Sequence, residues 1–238
     1  MSEIAHSDNA MKQGLELPNS KLFLFGNPNL GTPLMKINPT IGLDLPQKFL
    51  LRKEADKTVL QYNSPQYLAK RHDIDGSEME SMVTALSKLS EMVAQGETMI
   101  PELNPVDPGQ GFLNTKSSLS FDETVQKLNQ MLTEHPKLNL IAHIDHQKNA
   151  AGAGMELAPI QLFVFGNPAI GTPLMNEQAS LAIDLPQKIL VYQDAQGDVQ
   201  LISNDPFYLA RRHGLLNQEE KLEKIKTVLM KLTGDASS

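Results

Sequence analysis

The strongest constraint on this 238-residue chain is an internal repeat. Residues 22–35 read LFLFGNPNLGTPLM and residues 162–175 read LFVFGNPAIGTPLM, an offset of 140. Across 22–50 and 162–190, 17 of 29 positions are identical without a gap. One inserted residue near Gly197 moves the offset to 141, and NSPQYLAKRH (63–72) then matches NDPFYLARRH (204–213). Upstream, His6, Asn9, Ala10 and Gly14 match His146, Asn149, Ala150 and Gly154. Such self-similarity predicts two copies of one unit rather than one large domain. The copies are unequal, because 111–142 precedes the matching region of the second copy while His6 lies almost at the start of the first. The first copy is therefore expected to lack its first strand and helix. The units are placed at 1–95 and 111–235, joined by a proline-bearing linker over 96–110.

Composition narrows the function classes. Zero cysteines exclude a disulfide scaffold, a thiolate metal site and thiol chemistry. The net charge of −7 divides as −4 over residues 1–110 and −3 over 111–238, so neither half is a basic nucleic-acid surface. No apolar run reaches the roughly 18 residues of a spanning helix, and no membrane partner is expected. The N-terminus as written has no signal-peptide pattern, which reads as cytoplasmic; a leader upstream of it would make the protein periplasmic.

Periodicity and caps outline the second copy. A strand is expected over 112–119, and Ser120-Phe-Asp-Glu123 is a capping box opening an amphipathic helix. Further strands are read at 138–144 and 161–165. Thr172-Pro173 reads as the start of a short helix, with a free N-terminus that would favour an anion. A hairpin follows at 189–202, then a helix capped by Asp205-Pro206 and a last helix capped by Asn217. This order predicts an α+β fold, an antiparallel sheet with its helices packed on one face, made twice.

The run FGNPxxGTPLM, then DLPxK, then NxPxYLAxRH, is similar to the domain-of-unknown-function family 302 (DUF302). The resemblance covers the second copy from Ser120 to His213 and the first from His6 onward. It implies a TATA-binding-protein-like fold and nothing about nucleic-acid binding, since fold does not carry function, and the acidic balance argues against such binding. It supplies no catalytic residue.

Several polar residues recur in both copies as site candidates. Asn167 and Thr172, with Asn27 and Thr32, belong to the GNPxxGTP segment, which lacks the lysine of a nucleotide-binding loop. His146 and Asn149, with His6 and Asn9, follow a strand and suit polar binding or proton transfer. Lys188, with Lys48, stands four residues after Asp184 and Asp44; the plainer reading is an aspartate turn and a solvent-facing lysine. Tyr208 and Arg212, with Tyr67 and Arg71, share a helix face suited to a carboxylate or phosphate, though basic groups there also complement a helix dipole. No metal set and no cofactor is expected; Met35 and Met175 read as core rather than haem ligands.

The leading expectation is a non-catalytic binding or interaction module, with a groove offering Asn167, Thr172, Tyr208 and Arg212 to a small polar or anionic ligand. One alternative is an enzyme using His146 as acid/base with Lys188 or Arg212 as electrostatic stabiliser. The other is purely structural: the copies pair within the chain, or with a second chain, and the shared residues hold the interface.

Overall fold

The computed structural model describes residues 2–94 and 106–238. The first unit runs β1 (Ser2–Ala5), α1 (His6–Met11), β2 (Ser20–Phe25), α2 (Pro28–Ile37), a 3-10 segment (Pro39–Leu43), β3 (Gln47–Glu54), β4 (Lys57–Gln61), α3 (Pro65–Arg71), a 3-10 turn (Gly76–Met79) and α4 (Glu80–Val93). The second unit opens with β5 (Phe112–Lys116) and α5 (Phe121–Glu134). It then repeats the order as β6 (Asn139–Asp145), α6 (His146–Gly152), β7 (Ile160–Gly166), α7 (Pro168–Glu177), a 3-10 segment (Ala179–Ile183), β8 (Gln187–Gln193), β9 (Val199–Asn204), α8 (Pro206–His213) and α9 (Glu219–Ala236). Both sheets are antiparallel, ordered β1-β2-β3-β4 and β5-β9-β8-β7-β6.

Strand alternation divides the apolar residues between two layers. On the outer face of the second sheet, Phe163, Phe165, Ile189 and Val191 pack with Leu128 of α5 and Leu229 of α9. The alternate residues Leu162, Val164, Leu190 and Ile202 face inward and share one core with Leu22, Leu24 and Leu50 of the first sheet. The units exchange their 3-10 segments across this core: 39–43 packs on β7 and β8, and 179–183 on β2 and β3. Helices α1 and α6 are exchanged likewise, α1 lying on α7 and α6 on α2. The long helices α5 and α9 gather on one face of their sheet as expected; the first unit covers the other face.

Local signals decide the boundaries. Ser120 and Glu123 form the expected capping box, the Ser120 amide donating to the Glu123 carboxylate at 3.0 Å. Asp205 caps α8, and Gly214 closes it in the left-handed conformation. Two expectations are corrected. Helix α7 starts at Asn167-Pro168, whose Asn167 Oδ1 accepts from the Ala169 amide at 2.9 Å, so Thr172-Pro173 lies inside the helix. The free N-terminus read at Thr172 therefore does not exist, and α2 repeats the arrangement with Asn27. Asn217 takes a positive φ of 56° instead of capping α9, whose N-cap residue is Gln218. Of the linker over 96–110, residues 96–105 lie outside the described residues. Residues 107–110 form a turn whose Gly109 amide donates to the Arg71 carbonyl at 2.8 Å.

Candidate functional site

Where the two units meet, most of the repeated polar residues converge. Asp44 and Asp184 end the 3-10 segments, Lys48 and Lys188 point inward from β3 and β8, and the arginines and histidines come from the ends of α3 and α8. The bonds cross from unit to unit. Lys48 Nζ donates to Asp184 Oδ1 at 3.2 Å, and Lys188 Nζ to Asp44 Oδ1 at 3.1 Å. Arg71 donates to Asp44 of its own unit at 2.8 Å and to Asn204 of the other at 2.6 Å. Arg212 likewise binds Asp184 of its own unit and Asn63 of the other, the latter at 2.7 Å. His72 Nε2 donates to Asp44 at 3.0 Å and His213 Nε2 to Asp184 at 2.9 Å. The Tyr67 and Tyr208 hydroxyls meet at 3.0 Å, and each ring takes the other unit's arginine on its face. Residue i meets j while j meets i, the signature of two-fold pairing.

The same reciprocity fixes His6 and His146. His6 Nε2 donates to the Ala182 carbonyl at 3.1 Å, and His146 Nε2 to the Gly42 carbonyl at 3.2 Å. Gly42 allows this approach: a Cβ there would come 3.1 Å from Leu190 and 3.5 Å from the His146 ring.

Burial and charge set the protonation states. Burial would push the Asp44 carboxyl up, but Lys188, Arg71, the His72 hydrogen bond and Lys48 together hold it well below the carboxylate range. At Asp184, Arg212, Lys48 and His213 outweigh burial in the same way. Burial, then the neighbouring Lys48, lowers Lys188. Burial also lowers His72 against its Asp44 bond, and takes His6 and His146 down to about 4. His146 is thus a neutral imidazole whose Nε2 proton is committed to a carbonyl, a poor arrangement for acid/base work near neutrality.

The remaining candidates stand apart from the cluster. Asn27 and Asn167 are helix caps; Asn149 is exposed on α6. Thr32 and Thr172 are buried with hydroxyls that find no partner among the described residues. Thr172, Asn167, His6 and Asn9 line a mainly apolar cavity of about 130 Å³ beside Leu185 and Val228. The groove expected to offer Tyr208 and Arg212 together with Thr172 does not form, because the tyrosine and arginine are turned into the inter-unit cluster. The lysines read as solvent-facing are buried. Asn63 and Asn204 were missed as individual residues; the only signal was their recurrence in the two NxPxYLAxRH segments. Among the described residues, no three His, Asp or Glu side chains come together as a metal-binding group. No helix among them is long and apolar enough to cross a membrane.

The profile of "Domain of unknown function DUF302" matches residues 1–95 and 113–232. The "Fluoride-specific ion channel FluC 1" of Brucella suis biovar 1 is 36% identical over 105 residues, covering 44% of this chain and 41% of that protein. The protein of the same description from Brucella abortus biovar 1 is 36% identical over 105 residues and is covered to 38%. The chain thus spans about two-fifths of the length of these curated relatives. An "uncharacterized conserved protein DUF302" from Bacillus stearothermophilus aligns in structure with a TM-score of 0.42 and 19% identity, over 54% of this chain and 96% of that one.

Proposed function

Because the chain belongs to the DUF302 family, which it carries in two copies, we propose that it is a non-catalytic module whose units are clamped into an intramolecular pseudo-dimer. The observation that supports this is the reciprocal ion cluster. Lys48–Asp184 and Lys188–Asp44 engage the residues that otherwise recommend themselves for chemistry. The outer surfaces are then what the module offers to partners. A TATA-binding-protein-like arrangement is the finer fold reading, with no nucleic acid implied by the acidic balance.

A double-mutant cycle tests the clamp. Lys48→Met and Asp184→Asn should each destabilise the chain, and the pair should be coupled by at least ~1 kcal/mol in urea unfolding. Additive losses would end this reading.

The cavity beside Thr172 favours a second reading, binding of a small, mainly apolar ligand. Its volume approaches the ~150 Å³ of an apolar cavity that admits benzene. Phenol should raise the melting temperature saturably, and Val228→Trp should abolish the effect; no shift at any phenol concentration would remove the reading.

A further inference from the structure

The clamp does not balance its own charge. Asp44 and Asp184 bring two negative charges; Lys48, Lys188, Arg71 and Arg212 bring four positive ones, and among the described residues all six are paired only among themselves and neutral groups. His72 is lowered by burial and adds no anion. The side chains of both aspartates and both lysines are at most 5% exposed. An uncompensated pair of buried cations is costly, because desolvation in a low-dielectric interior is recovered only through opposite charge.

The excess is concentrated at one point. Both ammonium groups lie within 4 Å of the same oxygen, Asp44 Oδ1, at 3.8 Å from Lys48 and 3.1 Å from Lys188. Each ammonium has three N–H donors. Among the described residues each uses one hydrogen bond, Lys48 to Asp184 and Lys188 to Asp44. Unused donors from the two units therefore sit side by side.

Resting on the clamp reading, we propose that a small inorganic anion of halide size binds between Lys48 and Lys188 on the pseudo-two-fold axis. The anion accepts the unused ammonium N–H groups and cancels part of the excess. The site makes the clamp's strength dependent on the identity of the anion as well as on ionic strength.

The test uses the full chain at pH 7 and constant ionic strength, replacing sodium gluconate stepwise with sodium fluoride, chloride or bromide. A saturable rise in melting temperature with at least one halide is expected, and its loss in Lys188→Met. Equal melting in gluconate and all three halides, or a halide effect intact in Lys188→Met, would overturn the proposal. Should Lys188→Met not fold, bromide-soaked crystals of the unaltered protein decide. Anomalous density between the two Nζ atoms supports the site, and none at saturating bromide refutes it. Asp44→Asn separates the two readings: it should weaken the protein in every salt, and if it does not, the clamp itself fails whatever the anions do.

Discussion

The two units are alike where they face each other and unlike where they face outward. Inward, the exchange is nearly symmetric: each aspartate takes the other unit's lysine, and each histidine takes a carbonyl of the other's 3-10 segment. Outward, the second unit carries β5 and α5, which have no counterpart among the described residues of the first. Phe163, Phe165 and Val191 are fully buried beneath α5 and α9, whereas their equivalents Phe23, Phe25 and Leu51 are only half-buried. Along the last helix, Leu232 and Ala236 are 4% and 0% exposed in α9, while Leu89 and Val93 of α4 stand at 38% and 51%. A surface that must fit its own copy constrains both copies at once. An outer layer packs mainly on its own sheet, and the reciprocal pairing makes few demands on it.

One consequence crosses from the outer layer into the clamp. The start of β5 folds over Arg71: Phe112 stacks on the guanidinium at 4.5 Å and the Gln110 carbonyl accepts from its Nε at 3.2 Å. Nothing equivalent covers Arg212 among the described residues, and its side chain is 19% exposed against 1% for Arg71. Arg71→Met should therefore cost more than Arg212→Met. Removing one partner of a buried, hydrogen-bonded ion pair typically costs ~3–5 kcal/mol, and solvent access should reduce this at Arg212. Equal losses in urea unfolding would mean that β5 does not shield the clamp.

The outer layers provide the next contrast. Leu232→Ala should cost ~2–4 kcal/mol, as truncation in a closed core does, and Leu89→Ala less than ~1 kcal/mol. A large loss at Leu89 in chemical denaturation would show that the bare face of α4 is covered in solution.

Acid sensitivity should instead be shared equally. His6 and His146 have folded pKa values of about 4 against an unfolded value near 6.5. The unfolded chain binds more protons between those limits. Stability should thus be fully present above pH 6.5 and fall as pH drops towards 4, by up to ~1.4 kcal/mol per pH unit for each histidine. The depressed Asp44 and Asp184 carboxyls extend the loss further below pH 4. His6→Gln and His146→Gln should flatten the stability–pH slope by the same amount; a difference would break the inner symmetry.

Much of this architecture was legible in the sequence, and the reason is local. The repeat, the Ser120 capping box, the Asp205-Pro206 start and the Gly214 stop all act within a few residues of themselves. The α7 boundary was misplaced because Asn167-Pro168 and Thr172-Pro173 both satisfy the rule for a helix start, and only the chain's path chooses between them. The cluster was not legible, because its decisive pairs lie far apart in sequence: Lys188 and Asp44 are separated by 144 positions. Read within one copy, Asp184 and Lys188 suggest a turn and a solvated side chain. The repeat marked which residues matter and gave no sign that each would meet its partner in the opposite unit.

The smallest expected effect lies on the axis itself. Tyr67 and Tyr208 share one hydroxyl–hydroxyl bond of 3.0 Å, buried between the arginines. Burial pushes the Tyr67 phenol up, so it stays protonated throughout the working range. Only one proton can bridge the two oxygens, so Tyr67→Phe and Tyr208→Phe each delete the same bond and strand the other hydroxyl, at ~1 kcal/mol. The double variant strands neither, and should cost no more than either single change. Thermal unfolding of the three variants would show this as strong non-additivity. Additive losses would mean that the hydroxyls hold separate partners, and that the units differ even at the one point where their symmetry leaves them a single bond to share.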